Sequence, residues 1–200
     1  RYLVWIVKSA VRPSKSEIEK YLTLWDSLEN YRLQESSLKK LFTKTYPLND
    51  DLDEVLIKVC ALNDFYSTSI YYPVQVAKHI VSLQLDKKLM IKDPKVVNEI
   101  ASVQVKKDKL INYYSFATKY CSHHHPTLYP IYDSYVDKLL MHFKKEDNFF
   151  EFKKADLKIY ENFKNILEKF RIFYDLEDYD LKQIDKYLWQ AGKEYFPRAY

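Results

Sequence analysis

Residues 115–140 read SFATKYCSHHHPTLYPIYDSYVDKLL. Two amphipathic patterns meet in this stretch, across a turn framed by Pro126 and Pro130. Before the turn, Leu110, Tyr113, Tyr114, Ala117, Tyr120 and Cys121 recur at the i, i+3, i+4, i+7 spacing of one helix face, which predicts a helix over about residues 107–122. After it, Asp133 or Ser134 caps a second helix running to about Lys145, with Tyr135, Val136, Leu139, Leu140 and Phe143 as its apolar face. The prolines cannot continue a helix interior, so the chain has to turn between two helices here.

The same reading extends outward. Ser16 and Glu19 form a capping-box pattern ahead of Ile18, Tyr21, Leu22, Trp25 and Leu28. A shorter helix is expected over about residues 36–45, and Asn49-Asp50-Asp51 opens the one that carries Val55, Val59, Leu62 and Tyr66. Pro73 and Asp93-Pro94 are further start signals. Near the end, Ile159 to Phe173 and Leu181 to Ala191 each show the helical period, with Asp180 as a cap and Gly192 as a candidate terminator. Gly192 is the only glycine in 200 residues, and sheet proteins lean on glycine in tight turns. Length and a hydrophobic fraction of 47% suit one core. The expected architecture is therefore a single all-α domain over 1–200, of about eight to ten helices. Within it, a central part 48–145 would be flanked by 1–47 plus 146–200. Residues 2–8, YLVWIVK, lack a clear period and fit a short strand or a buried segment.

Thirty-two basic residues against 28 acidic ones permit nucleic-acid binding without demanding it. No run approaches the ~20 apolar residues of a membrane span. Cys60 and Cys121 both fall in helical patterns and read as buried free thiols of a reducing, cytoplasmic compartment.

Two residues could carry chemistry. Lys119 lies two positions past Ala117, roughly 200° around the helix, on the side shared with Ser115. A lysine whose amine is made neutral by burial is a nucleophile able to form a Schiff base at a sugar C1′. Asp133, fourteen residues on, could stabilise an oxocarbenium-like transition state across the turn. The plain alternative is a solvated lysine and an ordinary helix cap. Tyr129 and Tyr132 flank the turn, where either could stack on a base and one of them is expected to pack in the core, and Ser115 and His123 could shape the same pocket. The segment Leu62 to Ile70, LNDFYSTSI, offers a polar wall for that cleft or simple backbone capping. His123, His124 and His125 diverge as neighbours and do not make a metal site in a regular backbone. Lys106, Lys107 and Lys109 form a basic cluster at the start of the lysine-bearing helix.

The block from Leu62 to Leu140, with LNDFYSTSI, VAKHIVSL, SFATKYC and PIYDSYV, resembles the helix-hairpin-helix DNA glycosylase superfamily, in particular its divergent bacterial 8-oxoguanine-glycosylase-like members. The resemblance implies a two-lobed helical fold with DNA bound in the cleft. It aligns Lys119 with the catalytic lysine of the bifunctional members and Asp133 with their helix-capping aspartate. It implies no cofactor, and two cysteines cannot supply the four ligands of the iron–sulfur cluster some relatives carry. The family's glycine–apolar–glycine hairpin is replaced here by Tyr114-Ser115-Phe116-Ala117. The function expected is a DNA-binding base-excision glycosylase and abasic-site lyase; the alternative is a non-catalytic helical module that binds protein or nucleic acid.

Overall fold

In the computed structural model, which describes residues 9–197, helix follows helix almost without interruption. α1 (Lys15–Ser27) and α2 (Glu29–Lys40) come first, the latter running into a π-helical turn at Leu41–Thr45. Then follow α3 (Leu52–Tyr66), α4 (Pro73–Ser82), α5 (Leu85–Met90) and α6 (Lys95–Ala101). β1 (Ser102–Lys106) and β2 (Lys109–Asn112) lead into α7 (Tyr114–His124) and α8 (Ser134–Asp147). A 3₁₀ turn at Lys154–Lys158 precedes α9 (Tyr160–Phe173) and α10 (Leu181–Tyr195). The all-α expectation holds: ten α-helices and one small hairpin make up the described residues. The segment 2–8 lies outside them.

The expected caps are partly displaced. Asp51, Asp133 and Asp180 each accept backbone N–H groups from the first turn of the helix they open. Ser14 caps α1 rather than Ser16, taking the Glu17 N–H at 3.3 Å. The same S-x-x-E spacing is present two residues earlier, and the earlier serine is the one with extended backbone. How a chain with one glycine turns so often is also visible. Ser67, Gln84, Lys92, Asn148 and Asp175 adopt left-handed backbone at or just past helix ends, places where glycine is usual.

One helix prediction fails at its start. Residues 102–112 form an antiparallel hairpin, with Ser102 opposite Asn112 and Val103 opposite Ile111. SVQVK alternates exposed and buried residues, a strand period that overrides the apparent helical spacing of Leu110, which is exposed. Its turn at Lys107-Asp108 uses no positive φ, so glycine is not required there. The basic cluster Lys106, Lys107 and Lys109 accordingly sits at a hairpin tip, not on a helix. The Tyr113 N–H closes the hairpin base on the Ala101 carbonyl at 2.8 Å, and α7 starts from that fixed point.

The buried side chains join into one hydrophobic cluster from Ile18 to Tyr195. α10 packs along α1 and α8, so the last helix brings the first one against the helix that Asp133 opens. Gly192 lies inside α10 and is not its terminator. A Cβ there would stand 2.7 Å from the Tyr135 carbonyl oxygen and 2.8 Å from the Tyr135 Cβ, so only glycine permits this approach of α10 to α8. Cys121 is buried as expected, whereas Cys60 is exposed.

Candidate functional site

The turn between α7 and α8 is held from several sides. The Tyr132 N–H donates to Thr118 Oγ1 at 3.1 Å, and Ser115 Oγ donates to the Tyr132 carbonyl at 3.0 Å. The Ile131 N–H donates to Asp185 Oδ2 of α10 at 2.8 Å, and the Tyr160 hydroxyl of α9 to the Pro130 carbonyl at 2.8 Å. Asp133 then receives the Tyr135 and Val136 N–H groups, both at 2.9 Å on one carboxylate oxygen. Backbone groups of a buried turn must find partners, and here the side chains of three helices supply them. The result is a rigid mount for Asp133.

Beside this turn lies a cavity of about 670 Å³. Lys119, Ser115, Tyr132 and Asp133 all line it, and Thr68 brings the LNDFYSTSI segment in as a wall. Lys119 is not a solvated lysine: the polar side of α7 is covered, and the residue is only 5% exposed. Its ammonium donates to Ser115 Oγ at 2.6 Å and lies 5.3 Å from the centre of the Tyr66 ring. Burial lowers its pKa to about 8, with Asp133 and Asp185 opposing the shift. Asp133 and Lys119 share the cavity without forming a direct ion pair; the short contact of the amine is to Ser115.

Tyr129 does not reach the cavity. Its hydroxyl donates to the Asp93 carbonyl at 3.0 Å, its ring stacks on Tyr160 at 6.0 Å, and it is fully buried in the core. His123 stands one layer behind the wall, its Nε2 2.9 Å from the hydroxyl of Tyr66, which does line the cavity. Burial drops His123 to about 3, so the ring is neutral at ordinary pH. The three histidines take different partners: His124 Nε2 approaches Asn49 Oδ1 at 3.2 Å, and His125 ends α7. Among the described residues no three His, Cys, Asp or Glu side chains converge as a metal site would require.

Sequence reasoning missed the opposite wall. Asp185 sits in the apolar stripe of α10 beside Leu181, Ile184 and Leu188 and is buried with them. An acid inside a helical apolar stripe was the available signal. Burial pushes its carboxyl up to about 8, with Lys182 and the Ile131 N–H opposing. At the mouth, Trp25, Tyr31 and Trp189 meet with centroids 5.0–6.1 Å apart. Lys186 lies over Trp25 and Lys193 over Trp189, at 4.9 and 5.0 Å. Glu35 is bracketed by Lys182 and Lys186, each at 3.2 Å. The cavity thus combines a buried amine, three carboxyls, aromatic walls and a rim of lysines. Such a set can bind a flat polar ring near an anion and present a neutral amine to an electrophilic carbon.

Fold and site together define a helical domain with one semi-enclosed, amine-bearing cavity between its terminal and central helices. Residues 17–128 match the family model HI_0787_N, described as an N-terminal domain, and the chain belongs to that family. It is 44% identical over 165 residues to a protein of Haemophilus influenzae described as uncharacterized, a match spanning 81% of this chain and 78% of that one. No solved structure matches the chain. The family match includes Lys119 and ends before Asp133 and Asp185. Among the described residues no helix is long and apolar enough to cross a membrane.

Proposed function

We propose that this protein is a DNA glycosylase with abasic-site lyase activity, acting through Lys119 on a nucleotide flipped out of the duplex. The observation that carries this reading is the burial of the Lys119 amine, with lowered basicity, on the wall of a cavity that Asp133 also lines. An ordinary lysine is almost wholly protonated at neutral pH and cannot attack; one near 8 is neutral in an appreciable fraction of molecules. The aromatic walls support a stacked base. The exposed lysines of the β1–β2 tip, which feeds directly into α7, support contact with phosphates.

In this scheme the Lys119 lone pair attacks C1′ as the C1′–N bond breaks. The bonding electrons leave on the base, which takes up a proton. The Asp133 carboxylate, fixed by its two N–H bonds, faces the positive charge that develops on the sugar. The amine gives one of its two protons to the departing base; the C1′–O4′ bond then opens with its electrons on O4′, which takes up the second amine proton as the C1′=N bond of the imine forms. Borohydride, adding hydride to the imine carbon, turns it into a stable secondary amine. Duplex DNA bearing 8-oxoguanine or an abasic site should therefore cross-link to the protein under borohydride, and Lys119→Ala should abolish the adduct. Folded wild-type protein that forms no adduct with either substrate would overturn the lyase. Salt-sensitive DNA binding without base release would then favour the non-catalytic module.

A further inference from the structure

We infer that Ser115 is the positioning residue of Lys119: its hydroxyl accepts an N–H of the amine, gives its own proton to the Tyr132 carbonyl, and so ties the amine to the turn that carries Asp133 with the nitrogen lone pair left free. The inference rests on the Schiff-base reading and supplies the means by which the attacking group is aimed. Ser115 stands one helical turn before Lys119 on α7, at the i, i+4 spacing that brings two side chains together. The Lys119 amine lies 2.6 Å from Ser115 Oγ, the shortest hydrogen bond it makes. Ser115 Oγ in turn lies 3.0 Å from the Tyr132 carbonyl oxygen. Tyr132 immediately precedes Asp133 in the chain, so two hydrogen bonds connect the amine to the backbone that holds the carboxylate.

The direction of these hydrogen bonds is fixed by what each group can do. A hydroxyl has one proton to give, and a carbonyl can only accept. The other hydroxyl near the Tyr132 carbonyl, Thr118 Oγ1, stands off at 3.4 Å and donates to the Ser115 carbonyl at 2.8 Å. The Tyr132 carbonyl therefore depends on the Ser115 proton, and a carbonyl left unpaired in a buried turn is costly. What Ser115 offers the amine is its oxygen lone pairs. A neutral lysine amine has two N–H groups and one lone pair, and one N–H goes to Ser115. The face of the Tyr66 ring, with its centre 5.3 Å from the nitrogen, attracts the other N–H and repels a lone pair. The lone pair is left to the cavity, which Lys119, Ser115, Tyr66 and Asp133 all line. A serine free to donate would instead place its proton on that lone pair and quench the nucleophile.

Ser115→Ala removes the acceptor, and Ser115→Thr keeps it. The first probe is reductive methylation by formaldehyde and cyanoborohydride across about pH 6–10, with Lys119 followed by peptide mass spectrometry. An acceptor bonded to an ammonium favours the charged form, so Ser115→Ala should lower the pH midpoint of Lys119 reactivity by about one unit, and Ser115→Thr should return it to the wild-type value. The groups that face the amine are the same in all three proteins: Asp133 at the start of α8, Asp185 of α10, the neutral His123 of α7 and the phenol of Tyr66 on α3. A midpoint that does not move in Ser115→Ala would overturn the inference. So would one raised toward an ordinary lysine, the result of a merely loosened fold, or a Ser115→Thr midpoint equal to that of Ser115→Ala. The second probe is borohydride trapping on abasic-site DNA at about pH 9.5, where the amine is neutral in every variant. There Ser115→Ala should form the adduct roughly tenfold more slowly than wild type, with most of the rate recovered in Ser115→Thr. Equal rates in wild type and Ser115→Ala would refute the positioning role and leave the lyase standing. Methylation needs no DNA, so a midpoint that shifts as expected in a protein that forms no adduct would refute the lyase and not the hold of Ser115 on the amine.

Discussion

Among the described residues two lysines are buried, and they teach different things. Lys58 of α3 and Lys119 of α7 are both brought to about 8, in each case chiefly by burial. Lys58 is fully enclosed and spends its ammonium on protein: the Tyr46 carbonyl at 3.1 Å, the Leu48 carbonyl at 2.6 Å and Asn49 Oδ1 at 2.8 Å. Asn49 also receives the Tyr120 hydroxyl at 2.5 Å, and its own amide is held by Asp86. That cluster is closed, and none of its residues lines the cavity beside Lys119. Lys119 has one short bond and a cavity in front of it. Lowered basicity is therefore no signature of function by itself. What separates the two amines is whether their N–H groups are already satisfied and whether anything can reach them.

The largest effect should come from removing the closed amine. Lys58→Ala strands the Tyr46 and Leu48 carbonyls in the core and leaves a void, and should cost about 3–5 kcal/mol in a denaturant titration. Lys119→Ala removes a poorly satisfied buried charge, and should leave stability within about 1 kcal/mol while abolishing the borohydride adduct. Comparable losses of stability in both variants would erase the distinction between a structural and an available amine.

Next in size is the seam that joins the two walls of the cavity. In Gly192→Ala the new Cβ meets the backbone of Tyr135, which cannot rotate away. The first turn of α8 must shift away from α10, at about 1–3 kcal/mol. Asp133 rides on that turn and Asp185 on α10, so the strain falls on the Lys119 cluster. The Lys58 cluster, built from α3, α7 and residues 46–49, lies outside the seam. Hydrogen exchange should quicken at Tyr135 and Val136 and stay unchanged in the middle of α3.

What could be read in advance divides along the same physical line. Local rules found the caps of α3, α8 and α10, because capping is decided within four residues. They also placed Lys119, Ser115, Tyr132 and Asp133 near one another, since α7, the turn and α8 are contiguous in sequence. They failed on Asp185, fifty-two residues beyond Asp133, because nothing local says that α10 closes over the turn. They misjudged Tyr129, whose neighbour Tyr132 does line the cavity: within a turn, direction depends on partners such as Asp93 and Tyr160 that periodicity cannot reveal. Residues 102–112 mixed two periods, and alternation prevailed because Val103 and Val105 had a core to enter.

The smallest effect tests the layer behind each lysine. His123 backs the open cluster through Tyr66, and His124 backs the closed one through Asn49. Burial drives His123 to about 3 and His124 well below the ordinary value, so each takes up protons more readily once the chain unfolds. Unfolded chains then hold the extra proton at every pH between the folded and the ordinary histidine value. Stability therefore falls on acidification below about pH 6.5 and is retained above it. From pH 7 to pH 6 each ring should contribute a loss of about 0.7 kcal/mol. His123→Gln and His124→Gln should each remove about half of that slope, measured as the pH dependence of the unfolding midpoint. If only His124→Gln flattens it, His123 takes up its proton in the folded protein as readily as in the unfolded chain, and the wall beside Lys119 gains a second cation on acidification.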